Sequence, residues 1–169
     1  GGGEEWPRHG HRRIAALISR PNDQSISQLR YEGYVQALES HGIPVDPELV
    51  ISTGGFGAKD AYRAVQEKMA ENVDFTALFA IADSMAIGAM RALMDAGRRF
   101  PEDCSVIAID GLELSAYIEP PLTTLCQPME EMGRRSAEIL LDMVRHKGSH
   151  ACELLPTTLR QGRSVAAPR

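Results

Sequence analysis

No apolar run in these 169 residues approaches the roughly 20 needed to cross a bilayer, and Gly1 to Gly10 holds no hydrophobic stretch of the kind a signal peptide requires. Both absences set the expectation of a soluble protein retained in the cytoplasm. Cysteine is scarce: Cys104, Cys126 and Cys152 are odd in number and lack CxxC spacing, so a disulfide framework or zinc site is not expected. They are expected instead as structural thiols in a reducing compartment. Long basic clusters are missing too. The formal net charge is −5, and the short pairs Arg12-Arg13, Arg98-Arg99 and Arg134-Arg135 give no electrostatic footprint for nucleic acid.

Catalytic constellations are equally thin. His9 and His11 stand near a terminus, and His41, His146 and His150 lack neighbouring ligands, so no metal is expected and the histidines are read as solvated. Gly54-Gly55-Phe56-Gly57 lacks both the Lys and Ser/Thr of a phosphate loop and the GxGxxG spacing, and is read as a loop lining a cleft. There is no GxSxG elbow, and no cysteine at a helix start with a histidine partner. The expectation is a non-enzyme without a cofactor.

What the chain does have is alternation. At 43% hydrophobic and 24% charged residues it can bury a sizeable core. Arg13 to Ile18 reads as a buried strand, and Ser27 to His41 as a helix with Leu29, Tyr34, Val35 and Leu38 near helical spacing, stopped by Gly42. Leu49 to Ser52 and Ala58 to Glu71 repeat the pattern. Ala77 to Ala82, then Ser84 to Ala96 closed by Gly97, repeat it again, and Cys104 to Ile109 makes a fourth strand. After Asp110 the rhythm changes: Pro120-Pro121 breaks the chain, Leu122 to Gln127 is strand-prone, Pro128 to His146 reads as one long helix, and a last strand lies near Glu153 to Leu159. Strands alternating with such helices predict an α/β fold: a doubly wound, mostly parallel sheet with helices on both faces. Ligands in such sheets bind at the carboxyl ends of the strands, which here means just after Ile18, Ser52, Ala82 and Ile109.

Asp83-Ser84-Met85-Ala86-Ile87-Gly88-Ala89, then Gly97, Pro101 to Asp110 with its Val106-Ile107-Ala108-Ile109-Asp110 ending, Pro121-Leu122-Thr123-Thr124 and Gln127-Pro128 together resemble the core signature of the lactose-repressor/galactose-repressor (LacI/GalR) family. Gly10 to Ala15, Arg30-Tyr31-Glu32-Gly33-Tyr34 and Glu131-Met132-Gly133 extend the resemblance over nearly all of Gly10 to Ser164. It departs at Ala82, where family members often carry Asn. The resemblance implies about the C-terminal half of a regulator whose DNA-binding headpiece precedes two periplasmic-binding-protein-like subdomains closing on a small effector. Residues 1–11 would be a linker or tail and 12–125 the C-terminal subdomain. Residues 126–150 would belong with the other subdomain, and 151–169 would return.

The resemblance further implies that Arg30 and Asp110 bind the effector and that Phe56 packs on its face. Gln24 and Ile26 are candidates for further contacts. Asp83 is expected first as a helix N-cap and second as an effector contact. A homodimer interface is implied at Ile87, Met90, Met94, Leu114, Tyr117 and Ile118. The implied function is binding of a small polar molecule, a sugar or nucleobase-like compound, that controls operator binding by the headpiece. The alternatives are a periplasmic sugar-binding protein of a transporter, with the same fold, and, third, an α/β enzyme.

Overall fold

The computed structural model describes residues 13–19, 26–55, 57–126, 137–142 and 159–167. Six strands form one sheet: β1 (Ile14–Ser19), β2 (Val50–Thr53), β3 (Ala77–Ala80), β4 (Ser105–Ile109), β5 (Thr123–Leu125) and β6 (Leu159–Arg160). Their order is β2-β1-β3-β4-β5-β6; the first five run parallel and β6 is antiparallel to β5. The helices are α1 (Ile26–Ser40), α2 (Ala58–Ala70) and α3 (Asp83–Asp95). The expected α/β architecture is therefore the one observed. Short 3-10 turns at Pro47–Leu49 and Glu113–Ala116 were not foreseen; of the expected last strand near Glu153 to Leu159, residues 153–158 lie outside the described residues and Leu159 pairs in β6.

Strand order fixes the layers. The step from β1 to β2 runs one way across the sheet and the steps from β2 to β3 and β3 to β4 run the other. Right-handed crossovers thus put α1 on one face and α2 with α3 on the opposite one. The sheet is covered on both sides, which is why β1, β3 and β4 are unbroken buried runs rather than alternating ones. Where the winding reverses, β1 lies directly beside β3, with Ile14 opposite Ala77 and Leu17 opposite Ala80.

Helix ends follow the expected glycines. Gly42 and Gly97 have φ of +71° and +85°, and after each the chain folds back, with Ile43 N–H donating to Leu38 O and Arg98 N–H to Leu93 O, both at 2.9 Å. Asn72, φ +60°, ends α2 in the same way without a glycine.

On α1 the inward stripe differs from the expected one. Leu29 is 41% exposed, whereas Ser27, Arg30, Tyr34, Ala37 and Leu38 are buried. Tyr34 anchors the helix: its hydroxyl donates to Ile14 O at 2.6 Å, its ring stacks on Phe79 at 5.9 Å, and burial pushes its titration well above the ordinary range. Residues 137–142, within the expected long helix, are helical. Ala137, Ile139, Leu140 and Leu141 join the buried core, and Asp142 lies 3.4 Å from His41. His41 also sits 3.0 Å from Ala37 O and is half-buried, so it is a packing contact rather than a solvated residue.

Cys104 is buried, as expected of a structural thiol, and desolvation pushes its titration up to about 12. Cys126, by contrast, is exposed. It follows the short strand β5 at the carboxyl edge, where the sheet stops covering it. Cys152 lies outside the described residues.

Candidate functional site at the carboxyl edge of the sheet

The winding reverses between β1 and β3, the edge at which open α/β sheets place their ligands, and Arg30 reaches that edge from the second turn of α1. One of its guanidinium nitrogens, Nη1, donates to Ile81 O, just past β3. The other, Nη2, lies 3.3 Å from Asp110 Oδ1 at the end of β4. The expected pair thus comes together across 80 residues of sequence. Arg30's side chain is 5% exposed and that of Asp110 39%. Burying a guanidinium is costly unless every N–H finds a partner, yet Arg30 Nε is buried without one.

Asp110 is the wetter half. Its φ of +133° is unusual for a non-glycine residue, and Asp110 N–H donates to Leu125 O at 2.9 Å, which holds that backbone against β5. Partial burial raises its carboxyl above the ordinary range, and the Arg30 charge only partly offsets this. The buried fork and half-exposed carboxylate can together donate to and accept from one polar ring.

The other expected contacts divide. Phe56 and Gln24 lie outside the described residues. Ile26 opens α1, and its side chain lies outside the description. Asp83 requires a correction: it is the first residue of α3, not its N-cap, which is Ala82. Its carboxylate is fully buried. Oδ1 accepts from Thr124 Oγ1 at 2.5 Å, and Oδ2 accepts from Leu112 N at 2.9 Å and Ser115 Oγ at 2.7 Å. With both oxygens occupied and no surface exposed, Asp83 offers nothing to a ligand directly. Arg160, which the sequence reading did not single out, sits 3.9 Å away and bonds Leu112 O and Ser115 Oγ. Only spatial proximity reveals it, since its partners lie 45 to 48 residues upstream.

Of the expected interface residues, Leu114 and Tyr117 are 69% and 78% exposed, and Leu112, which opens the segment Leu112 to Leu122 expected at the interface, is 45% exposed. Ile87, Met94 and Ile118 are half-buried. Met90 is a correction: at 2% exposure it faces the internal core and has no surface to offer a partner. The helix position that suggested an outward apolar face is used inward, where α3 packs on the sheet.

A separate open groove of about 470 Å³, lined by Tyr31, Glu32, Val35, Gln36 and Val45, lies on α1 away from the Arg30–Asp110 pair. No His/Cys/Asp/Glu cluster able to hold a metal occurs among the described residues. No described helix is long and apolar enough to cross a membrane.

A doubly wound sheet with a charged pair at its winding reversal defines a class of small-molecule-binding α/β domains. The model of the periplasmic binding protein-like domain matches residues 6–165. The transcriptional repressor CytR of Escherichia coli K12 is 38% identical over 152 residues, covering 86% of this chain and 44% of the relative. The transcriptional regulator MalR of Clostridium butyricum is 37% identical over 142 residues, 84% and 42% of the two chains. A solved sugar-binding LacI-family regulator from Escherichia coli, in complex with phosphate, superposes with a TM-score of 0.72 at 29% identity, covering 99% of this chain and 59% of that one. The chain belongs to the periplasmic binding protein-like family, in the form found in the effector domains of LacI-family transcription regulators. It spans under half the length of these curated relatives.

Proposed function

We propose that this chain is the effector-sensing and self-associating part of a cytoplasmic LacI-type transcription regulator, and that it binds a small polar molecule of the sugar class. The observation that carries this is the Arg30–Asp110 pair at the winding reversal, whose carboxylate stays open to a ligand. Arg30 Nε is buried and unpartnered, beside an Asp110 carboxyl that is 39% exposed and partly desolvated. A hydroxylated ring donates one hydroxyl to the exposed Asp110 carboxylate, and a rearrangement that uncovers Arg30 lets a neighbouring hydroxyl accept from the guanidinium. The sugar-binding relative supports that class.

In this reading the segment 126–150, whose Ala137, Ile139, Leu140 and Leu141 pack in this chain's own core, exchanges that packing for a second lobe, completed by further chain, that closes over the same ligand. Phe56, Gln24 and Ile26 line the first wall. A ligand that prefers one closure shifts the population of closures without a chemical step, and the shift reaches operator DNA through a headpiece elsewhere in the full protein. The turn bearing Leu114 and Tyr117, with Ile87, Met94 and Ile118 beside it, makes the subunit contact.

Calorimetry of the full-length regulator against mono- and disaccharides and nucleosides tests this. One sugar class should bind, and Arg30→Met should weaken it about tenfold or more, since a charged hydrogen-bond set is lost. Operator affinity without ligand should hold. Equal ligand affinity in both proteins removes Arg30 from the site.

A further inference from the structure

The buried carboxylate of Asp83 joins two features that have been described separately. Asp110 directly follows β4 and carries the proposed ligand contact. Two residues later the chain enters the turn that exposes Leu112, Leu114 and Tyr117. Between them Gly111, φ +74°, passes so close to Cys126 that a Cβ on it would stand 2.7 Å from Sγ and 2.9 Å from Cα, leaving this stretch little room to yield toward β5. Gly111 N–H donates to Thr124 Oγ1 at 3.2 Å, and that same hydroxyl donates to Asp83 Oδ1. Asp83 Oδ2 holds the next residue, Leu112, by its N–H, and Ser115 by its hydroxyl. From the far side Arg160 grips Leu112 O and Ser115 Oγ. Ser115 O then receives Leu122 N–H at 3.0 Å, fixing where the turn rejoins β5.

We infer that Asp83 and Arg160 are positioning residues that make Asp110 and the exposed Leu112–Tyr117 turn one rigid lever, so that a displacement at the ligand carboxylate is carried to the self-association surface. A turn with its own flexible tether would absorb such a displacement. This one is held at Gly111, Leu112 and Ser115 by groups meeting at a single buried carboxylate, a contiguous bonded network of the kind that can carry a displacement from one end to the other. Burial is the main cause that raises the Asp110 carboxyl and the Asp83 charge adds a smaller rise, so the titration of Asp110 reports a displacement of Asp83. Coupling of this kind is reciprocal: whatever the ligand does to subunit affinity, subunit contact does to ligand affinity. The lever rests on the proposed reading of Asp110 as ligand contact and of the turn as subunit contact.

Arg160→Lys tests it on the full 169-residue chain, because the charge is kept while the fork that grips two acceptors is lost. Three quantities are read: amide hydrogen exchange over 111–118, the titration of Asp110 followed by carboxyl carbon resonance, and the self-association constant by sedimentation. The lever predicts about tenfold faster exchange in the turn, a displaced Asp110 titration, and weaker self-association, with exchange in β1 and β3 unchanged. Ser115→Ala, which removes the atom shared by Asp83 and Arg160, should reproduce all three effects and secures the test if Arg160→Lys misfolds. Faster exchange in the turn with the Asp110 titration unmoved overturns the lever, as does no change in either. A native chain that stays monomeric overturns the subunit reading alone, and exchange and titration still decide whether Asp110 and the turn move together.

Discussion

At the scale of single residues the site is defined by imperfect electrostatics. Asp110 is held where its charge is partly desolvated, and the nearest cation compensates only in part. Because its folded-state titration lies above the unfolded one, the folded state carries no penalty below the unfolded carboxylate range. It acquires the penalty as pH rises through that window, and bears it in full above the folded value. Asp110→Asn should therefore stabilise the isolated chain at neutral pH, by under about 1 kcal/mol because the group is substantially solvated, and the gain should vanish as pH is lowered through the carboxylate range. Asparagine also tolerates the positive φ. Urea unfolding at several pH values checks this; a gain that grows toward acid pH contradicts it. Stability given up for an available carboxylate is the usual mark of a binding position.

At the scale of elements, local periodicity and punctuation made most of the fold legible. The boundaries of α2 and β4 fall within a residue of their expected places because alternating apolar runs and glycine stops are local signals. The inward face of α1 was misread for a physical reason: its first turns point polar Ser27 and Arg30 at the carboxyl edge of the sheet, so a search for an apolar stripe selects Leu29 instead. Asp83 was misread because an aspartate before an apolar helix ordinarily caps it, and nothing local announces partners at 112, 115, 124 and 160. The packing of α2 on α3 was equally invisible. Gly88, read only as part of a motif, lies so close to α2 that a Cβ there would meet Ala58 O at 2.0 Å. Backbone cannot step aside as a side-chain tip can, so Gly88→Ala should cost about 1–3 kcal/mol despite the helix propensity alanine adds. Thermal unfolding measures it, and a neutral or stabilising result would mean that the two helices are free to separate.

At the scale of the whole molecule, apolar surface is what remains unaccounted for. Leu112, Leu114 and Tyr117 project from one short turn whose backbone is tied to the buried Asp83 and the half-buried Arg160. Three large apolar side chains on a rigid support lose little conformational entropy when covered, which favours association over a floppy loop of the same composition. A two-fold contact would place this patch against its own copy, since a symmetric dimer uses one surface twice. A charge introduced there is doubled by the symmetry and buried on both sides. Leu114→Glu, at a position already 69% exposed, should leave the unfolding midpoint of the separated chain within about 0.5 kcal/mol of native while weakening self-association by about two factors of ten or more. Sedimentation equilibrium across a concentration series, paired with denaturant unfolding at the lowest concentration, separates the two effects. An unchanged association constant would place the subunit contact elsewhere, and an equal loss in both measurements would make Leu114 a residue of the fold rather than of the interface.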